Sequence, residues 1–226
     1  MAAGGLIAAY LVGSVPFGYL AGRLRGIDIR TVGSGNIGAT NVMRACGKPL
    51  GIAVFILDLA KGYVAAGPLA WLVLDLGAPD NLVGNGLGPL YALAVCAGHV
   101  WTVFLGFHGG RGVATAAGAL LAIVWLPALI GLATWVILAA IFRYVSLASM
   151  VAAATTAGVS AGLSAKGGRL GQEWPVWGLC AALAVLIIVR HRANIGRLLK
   201  GQEPKIGSGP TEPSTQPQPE GEDSGS

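Results

Sequence analysis

Residues 112–142 read GVATAAGALLAIVWLPALIGLATWVILAAIF, a run without one charged side chain. A helix rises about 1.5 Å per residue and a hydrocarbon core is about 30 Å thick, so about 20 residues make one crossing. The run is too long for a single span. It is also interrupted by Pro127, which removes a helix donor and crowds the preceding turn. Two short spans meeting near Leu126 to Ala128 are expected. Working outward, apolar stretches of span length occupy residues 4–22, 50–75, 88–107, 145–164 and 174–191. The sequence therefore predicts an all-α polytopic membrane protein with about seven transmembrane helices.

Composition agrees. Of 226 residues, 54% are hydrophobic and 36 are Gly, while only 11% are charged, under half the roughly 25% of soluble domains. Too few polar side chains remain to cover a water-facing surface. Cys46, Cys96 and Cys180 have no disulfide or zinc spacing, and two of them lie inside apolar runs where Cys acts as a small hydrophobe.

Lys and Arg set the orientation, because cytoplasmic loops collect them. With the N-terminus outside, the inside segments hold Arg23, Arg25, Arg30, Arg44 and Lys48, then Arg111, then Arg143, then Arg190, Arg192, Arg197, Lys200 and Lys205. Of the fifteen basic residues, only Lys166 and Arg169 fall outside, and Lys61 falls within a span. An even number of spans would put the two basic clusters on opposite sides. The expected C-terminus is therefore cytoplasmic. The first span lacks a positive segment before it and reads as an uncleaved anchor. Residues 207–226 hold four Pro, four acidic groups and no Lys or Arg, and are expected to be a disordered tail to a membrane domain over 1–206. The basic inside face suits anionic lipid headgroups or phosphorylated substrates, although a rim that only sets topology would carry the same charge.

Three inside segments carry candidate chemistry. The first reads GSGNIGATNVMR from Gly33 to Arg44. Glycines 33, 35 and 38 allow backbone N–H groups to converge, and a helix beginning near Ala39 adds its dipole. Ser34, Asn36, Thr40 and Asn41 add neutral donors and Arg44 a charge. The spacing begins like a Walker A loop, but Ala39-Thr40 stands where Lys-Ser/Thr is needed. It also matches a dinucleotide fingerprint, yet Asp58 at the acidic position lies in an apolar run and no strand–helix alternation follows. A plain turn is the remaining alternative.

The second segment, 98–115, places Gly109, Gly110 and Gly112 around Arg111 before a helix start. It reads as another anion-competent turn or as a tight reversal between spans. In the third, 190–203, His191 and Asn194 stand at i and i+3 and share a helix face, with Arg190 and Arg197 about them. Histidine is the side chain best suited to proton transfer near neutral pH. Asp58 and Lys61, also i and i+3, lie within the second span. They are expected to pair structurally or to face a polar cavity.

Together these segments resemble the bacterial acyl-phosphate:glycerol-3-phosphate acyltransferases. The motifs that carry the resemblance run in order from about residue 5 to residue 206. They are Ser14-Val15-Pro16-Phe17-Gly18, the 33–44 loop, Asp58-x-x-Lys61-Gly62, the 98–115 segment, Arg143-Tyr144-x-Ser146, and 190–203. Three positions depart from the family pattern: Thr102 replaces Pro, and His108 and Arg111 replace Lys. His108 would be largely neutral at pH 7, so the site is expected to hold one positive charge fewer.

The resemblance implies transfer of a fatty acyl group from acyl phosphate to the carbon-1 hydroxyl of glycerol 3-phosphate, the first step of phospholipid synthesis, at the cytoplasmic face of a bacterial inner membrane. By analogy, Ser34, Gly35, Asn36, Gly38, Thr40, Asn41 and Arg44 would bind the donor phosphate. Gly109, Gly110, Arg111, Gly112, Ser146 and His191 would bind glycerol 3-phosphate, and His191 with Asn194 would position the hydroxyl or carbonyl. Both His191 and a substrate phosphate are candidates for taking the hydroxyl proton. The implied partners are the two substrates, the bilayer and an upstream enzyme that forms acyl phosphate, with no nucleic acid, cofactor or metal. An H-x-x-x-x-D acyltransferase pair is absent, since Phe104, Val113 and Gly196 lie five residues after the three histidines. The alternative is a small transporter of a phosphorylated metabolite. It would concentrate polar groups near the midplane, often in repeated halves, whereas here they gather at the inside ends.

Overall fold

Every regular element in the computed structural model, which describes residues 2–74 and 87–207, is helical. In chain order these are α1 (Ala2–Ser14), α2 (Phe17–Arg23), α3 (Ala39–Cys46), α4 (Lys48–Val64), α5 (Ala70–Leu74), α6 (Leu87–Val100), α7 (Val113–Ile123), α8 (Trp125–Phe142), α9 (Val145–Lys166), α10 (Trp174–Arg190) and α11 (Arg192–Leu199). In hydrocarbon the backbone must satisfy its own hydrogen bonds, which these apolar runs do as helices. Large apolar side chains such as Ile56, Leu72, Trp125, Ile137 and Ile141 face outward, as a lipid-exposed surface requires.

Five segments are long and apolar enough to cross a membrane, and α10 with α11, bent by 59°, makes a sixth. The seventh apolar segment, α7, has 11 residues, about 16 Å of helix, and is too short to cross. The long run also divides differently from expectation. The break falls at Val124 (φ −136°, ψ 65°), giving unequal helices of 11 and 18 residues. Pro127 sits in the first turn of α8, where no backbone donor is needed. The tail expected from residue 207 lies, apart from Gly207, outside the described residues.

The first span is broken at Val15-Pro16, and the carbonyls freed there are recaptured by side chains. Thr102 Oγ1 donates to Ser14 O at 2.6 Å, and Lys61 Nζ donates to Val15 O at 2.9 Å. Helix α4 passes through a π turn, Ala65–Leu69, that contains Pro68. Upstream of it α4 crosses α7 with almost no separation. A Cβ on Gly62 would strike the Thr115 carbonyl, and one on Gly118 the Leu59 carbonyl. Helix α1 packs along α6, and α8, α9 and α10 pack side by side. These contacts bring residues from the 33–44, 98–115 and 190–203 segments to one cavity.

Candidate active site

The 27–38 loop is anchored from below by Ile29, Ile37 and Val42, which are buried with Ala21 and Val54. Asn41 fixes its shape. Its Nδ2 donates to Ile29 O at 3.1 Å and Val32 O at 2.9 Å, and its Oδ1 accepts from Ser34 N–H at 3.0 Å. Gly33 and Gly35 have φ of +60° and +66°, a region that side chains disfavour. The Gly35 N–H is taken by Val32 O, and that of Gly38 by Asn36 Oδ1. The loop is thus not the open nest of amides that its glycines imply. Ser34 and Asn36 of the loop line the cavity together with Thr40 and Arg44 of α3.

The glycine turn is likewise a packing device. Gly109 and Gly110 donate their N–H groups to Val100 O at 3.1 Å and His99 O at 3.0 Å, and Arg190 Nη2 holds both their carbonyls, at 3.4 and 3.2 Å. Neither glycine lines the cavity; Arg111 and Gly112 do. Gly112, at φ +82°, caps α7. His108 is exposed, bonds the Gly106 carbonyl and lies outside the cavity lining, so the expected loss of a site charge does not occur there.

His191 sits at the bend between α10 and α11, 2% exposed. Its Nδ1 lies 2.7 Å from Ile187 O. A carbonyl can only accept, so Nδ1 carries the proton and Nε2 is left with a lone pair. One turn on, Asn194 donates from Nδ2 to Glu203 Oε1 at 2.6 Å. Glu203 also accepts from Ser146 Oγ at 2.7 Å and Arg197 Nε at 2.8 Å. Burial alone would raise its pKa, but these donors outweigh it and hold the carboxyl below its ordinary value. Sequence reasoning did not select Glu203, and it placed Arg197 beside His191 and Asn194 without giving it a role. The available signal was that Glu203 is the single acidic group among the cations of residues 190–207.

All of these groups meet in one cavity of about 420 Å³, lined by Ser34, Asn36, Gly38, Thr40, Asn41 and Arg44, by Arg111 and Gly112, and by Ser146, His191, Asn194, Arg197 and Glu203. Asp58 lines it too, while Lys61, Gly35, Gly109 and Gly110 stand behind. Asp58 and Lys61 form the expected pair at 2.8 Å. Arg111 has no hydrogen-bond partner among the described residues. Burial and the charges of Arg197, Arg190 and Arg44 bring its pKa down to about 10, still protonated at neutral pH. Three guanidiniums against two carboxylates leave the cavity cationic. It suits phosphate oxygens, with the His191 lone pair among them. No group of His, Cys, Asp and Glu able to hold a metal occurs among the described residues.

Comparison with known proteins agrees with this chemistry. The family model described as "Glycerol-3-phosphate acyltransferase" matches residues 3–201. The glycerol-3-phosphate acyltransferase of Jannaschia sp. (strain CCS1) is 45% identical over 89% of this chain and 91% of its own. That of Paramagnetospirillum magneticum is 44% identical over 89% and 92%. The crystal structure of PlsY (YgiH), an integral membrane glycerol 3-phosphate acyltransferase in its glycerol 3-phosphate form, superposes with a TM-score of 0.79. It is 39% identical, covering 91% of this chain and 96% of that one. Its lysophosphatidic acid form gives 0.77 at 38% identity, covering 91% and 95%. The fold and site define a membrane-embedded acyltransferase of phospholipid synthesis. The chain belongs to the glycerol-3-phosphate acyltransferase family.

Proposed function

We propose that the chain moves a fatty acyl group from acyl phosphate to the carbon-1 hydroxyl of glycerol 3-phosphate, releasing lysophosphatidic acid and inorganic phosphate. One observation carries this reading: the cationic cavity meets an apolar groove at Phe55, Val113, Ala114, Trp135 and Ser149, which line both. A site for two phosphates thus opens onto a site for hydrocarbon. The groove follows α7, α8, α9 and α10 for two turns each, from Val113 to Leu120 and from Ser149 to Thr156 for example, or about 10 Å.

Ser34, Thr40 and Arg44 hold the donor phosphate, and Arg111 holds that of glycerol 3-phosphate, while Ser146 gives its one proton to Glu203 and fixes that carboxylate at the cavity wall. His191 Nε2 accepts a hydrogen bond from the attacking hydroxyl. The hydroxyl oxygen bonds to the acyl carbon, the carbon–oxygen bond to phosphate breaks, and the electron pair leaves with the phosphate. The hydroxyl proton passes by way of His191 to that leaving group. A mixed anhydride needs no acyl-enzyme, so positioning and charge neutralisation supply the catalysis.

Because Lys and Arg gather at this end of the helices, the cavity faces the cytoplasm of a bacterial inner membrane. An enzyme that makes the mixed anhydride supplies the donor from upstream. The donor assignment is tested with purified protein given palmitoyl phosphate or palmitoyl-CoA. Lysophosphatidic acid should form from the phosphate alone, and product from the thioester would overturn the assignment.

A further inference from the structure

Asp58, Lys61 and His99 are 3%, 5% and 5% exposed, and the reaction above uses none of them. Lys61 ties the Asp58 carboxylate to the break in the first span through the Val15 carbonyl. His99 Nδ1 lies 3.6 Å from the same carboxylate oxygen and 3.2 Å from Thr115 Oγ1. The opposite edge of the ring lies against the glycine turn. A Cβ placed on Gly110 would collide with His99 Nε2, Cδ2 and Cε1, its three nearest atoms. The His99 carbonyl receives the Gly110 N–H at 3.0 Å, and Arg190 grips the turn from the other side.

A buried imidazole beside a carboxylate invites a general-base role, and His99 does line the cavity, but both of its nitrogens are directed at protein groups, Nδ1 at Thr115 and Asp58 and Nε2 at the glycine turn. Its Nε2 faces the backbone of Gly110, the residue immediately before Arg111. We propose that His99, oriented by Asp58, is a positioning residue: it braces the turn that aims the Arg111 guanidinium into the cavity. The proposal rests on the reading that Arg111 binds the phosphate of glycerol 3-phosphate.

The test is steady-state kinetics on the detergent-purified enzyme, with thermal unfolding as a fold check, for His99→Ala, Gly110→Ala, the double variant and Arg111→Gln. Arg111→Gln should raise KM for glycerol 3-phosphate about tenfold or more, and His99→Ala several-fold with a smaller change in kcat. Gly110→Ala should be impaired alone yet add nothing in the His99→Ala background, because the new methyl enters the vacated space. If His99→Ala does not fold, His99→Asn takes its place. It keeps a polar atom near Asp58 and Thr115, and should also absorb Gly110→Ala. An unchanged KM in His99→Ala beside a raised one in Arg111→Gln would overturn the proposal, as would multiplicative effects of the two substitutions. An unchanged KM in Arg111→Gln would remove the underlying site reading, and the proposal with it.

Discussion

The Asn194–Glu203 hydrogen bond, 2.6 Å from Nδ2 to Oε1, decides which end of the asparagine amide is left free. A carboxylate can only accept, so the NH2 group is turned to it, and Oδ1 is left buried with no partner among the described residues. An orphaned acceptor on a residue that lines the same cavity as His191 suits a substrate hydroxyl. Glu203→Gln supplies a donor where an acceptor stood and lets the amide turn over. The expected result is a fall in kcat of about tenfold or more, measured as lysophosphatidic acid formation at saturating substrates.

The same carboxylate makes stability depend on pH. Its pKa is lowered on folding, so it contributes stability that is complete above its unfolded value and lost as pH falls through the folded one. Thermal unfolding in detergent should therefore show a loss below about pH 4.5 that is smaller in Glu203→Gln. Identical pH profiles for the two proteins would place the ionised group elsewhere.

Lys61→Met removes the ammonium from the buried Asp58 carboxylate and leaves the Val15 carbonyl with the Phe17 N–H alone. Removing one partner of such a pair costs about 3–5 kcal/mol, seen as a lower unfolding temperature. Asp58→Asn with Lys61→Met should recover part of that loss, and equal instability of single and double variants would contradict the pairing.

Ala153 lines the apolar groove on α9. Ala153→Leu should narrow it and lower the rate with palmitoyl phosphate relative to octanoyl phosphate by about tenfold. Competition between the two donors measures the ratio directly, and an unchanged ratio would remove the acyl chain from this groove.

His108→Lys should leave KM for glycerol 3-phosphate unchanged, since His108 is exposed and outside the cavity lining. Sequence reasoning counts a site charge as missing at His108, because spacing along a loop does not tell which residues turn inward. Periodicity and motif order do reveal the helices and the three segments that form the site. They misjudge the 112–142 run because Pro127 is harmless in a first helical turn, so the chain breaks at Val124 and leaves α7 short. They also assign backbone amides of the glycine loops to substrate, whereas Asn41, Asn36 and the carbonyls of His99 and Val100 already occupy several of them. Glu203 escapes selection because its importance lies in three partners drawn from two helices, a relationship that exists only once the chain has folded.

The most direct measurement is release of inorganic phosphate by the purified protein given palmitoyl phosphate with and without glycerol 3-phosphate. Release should require both substrates and match lysophosphatidic acid mole for mole, and it should be lost in His191→Ala protein that unfolds like the wild type. Release independent of glycerol 3-phosphate, or full release by the folded His191→Ala variant, would contradict the site described above.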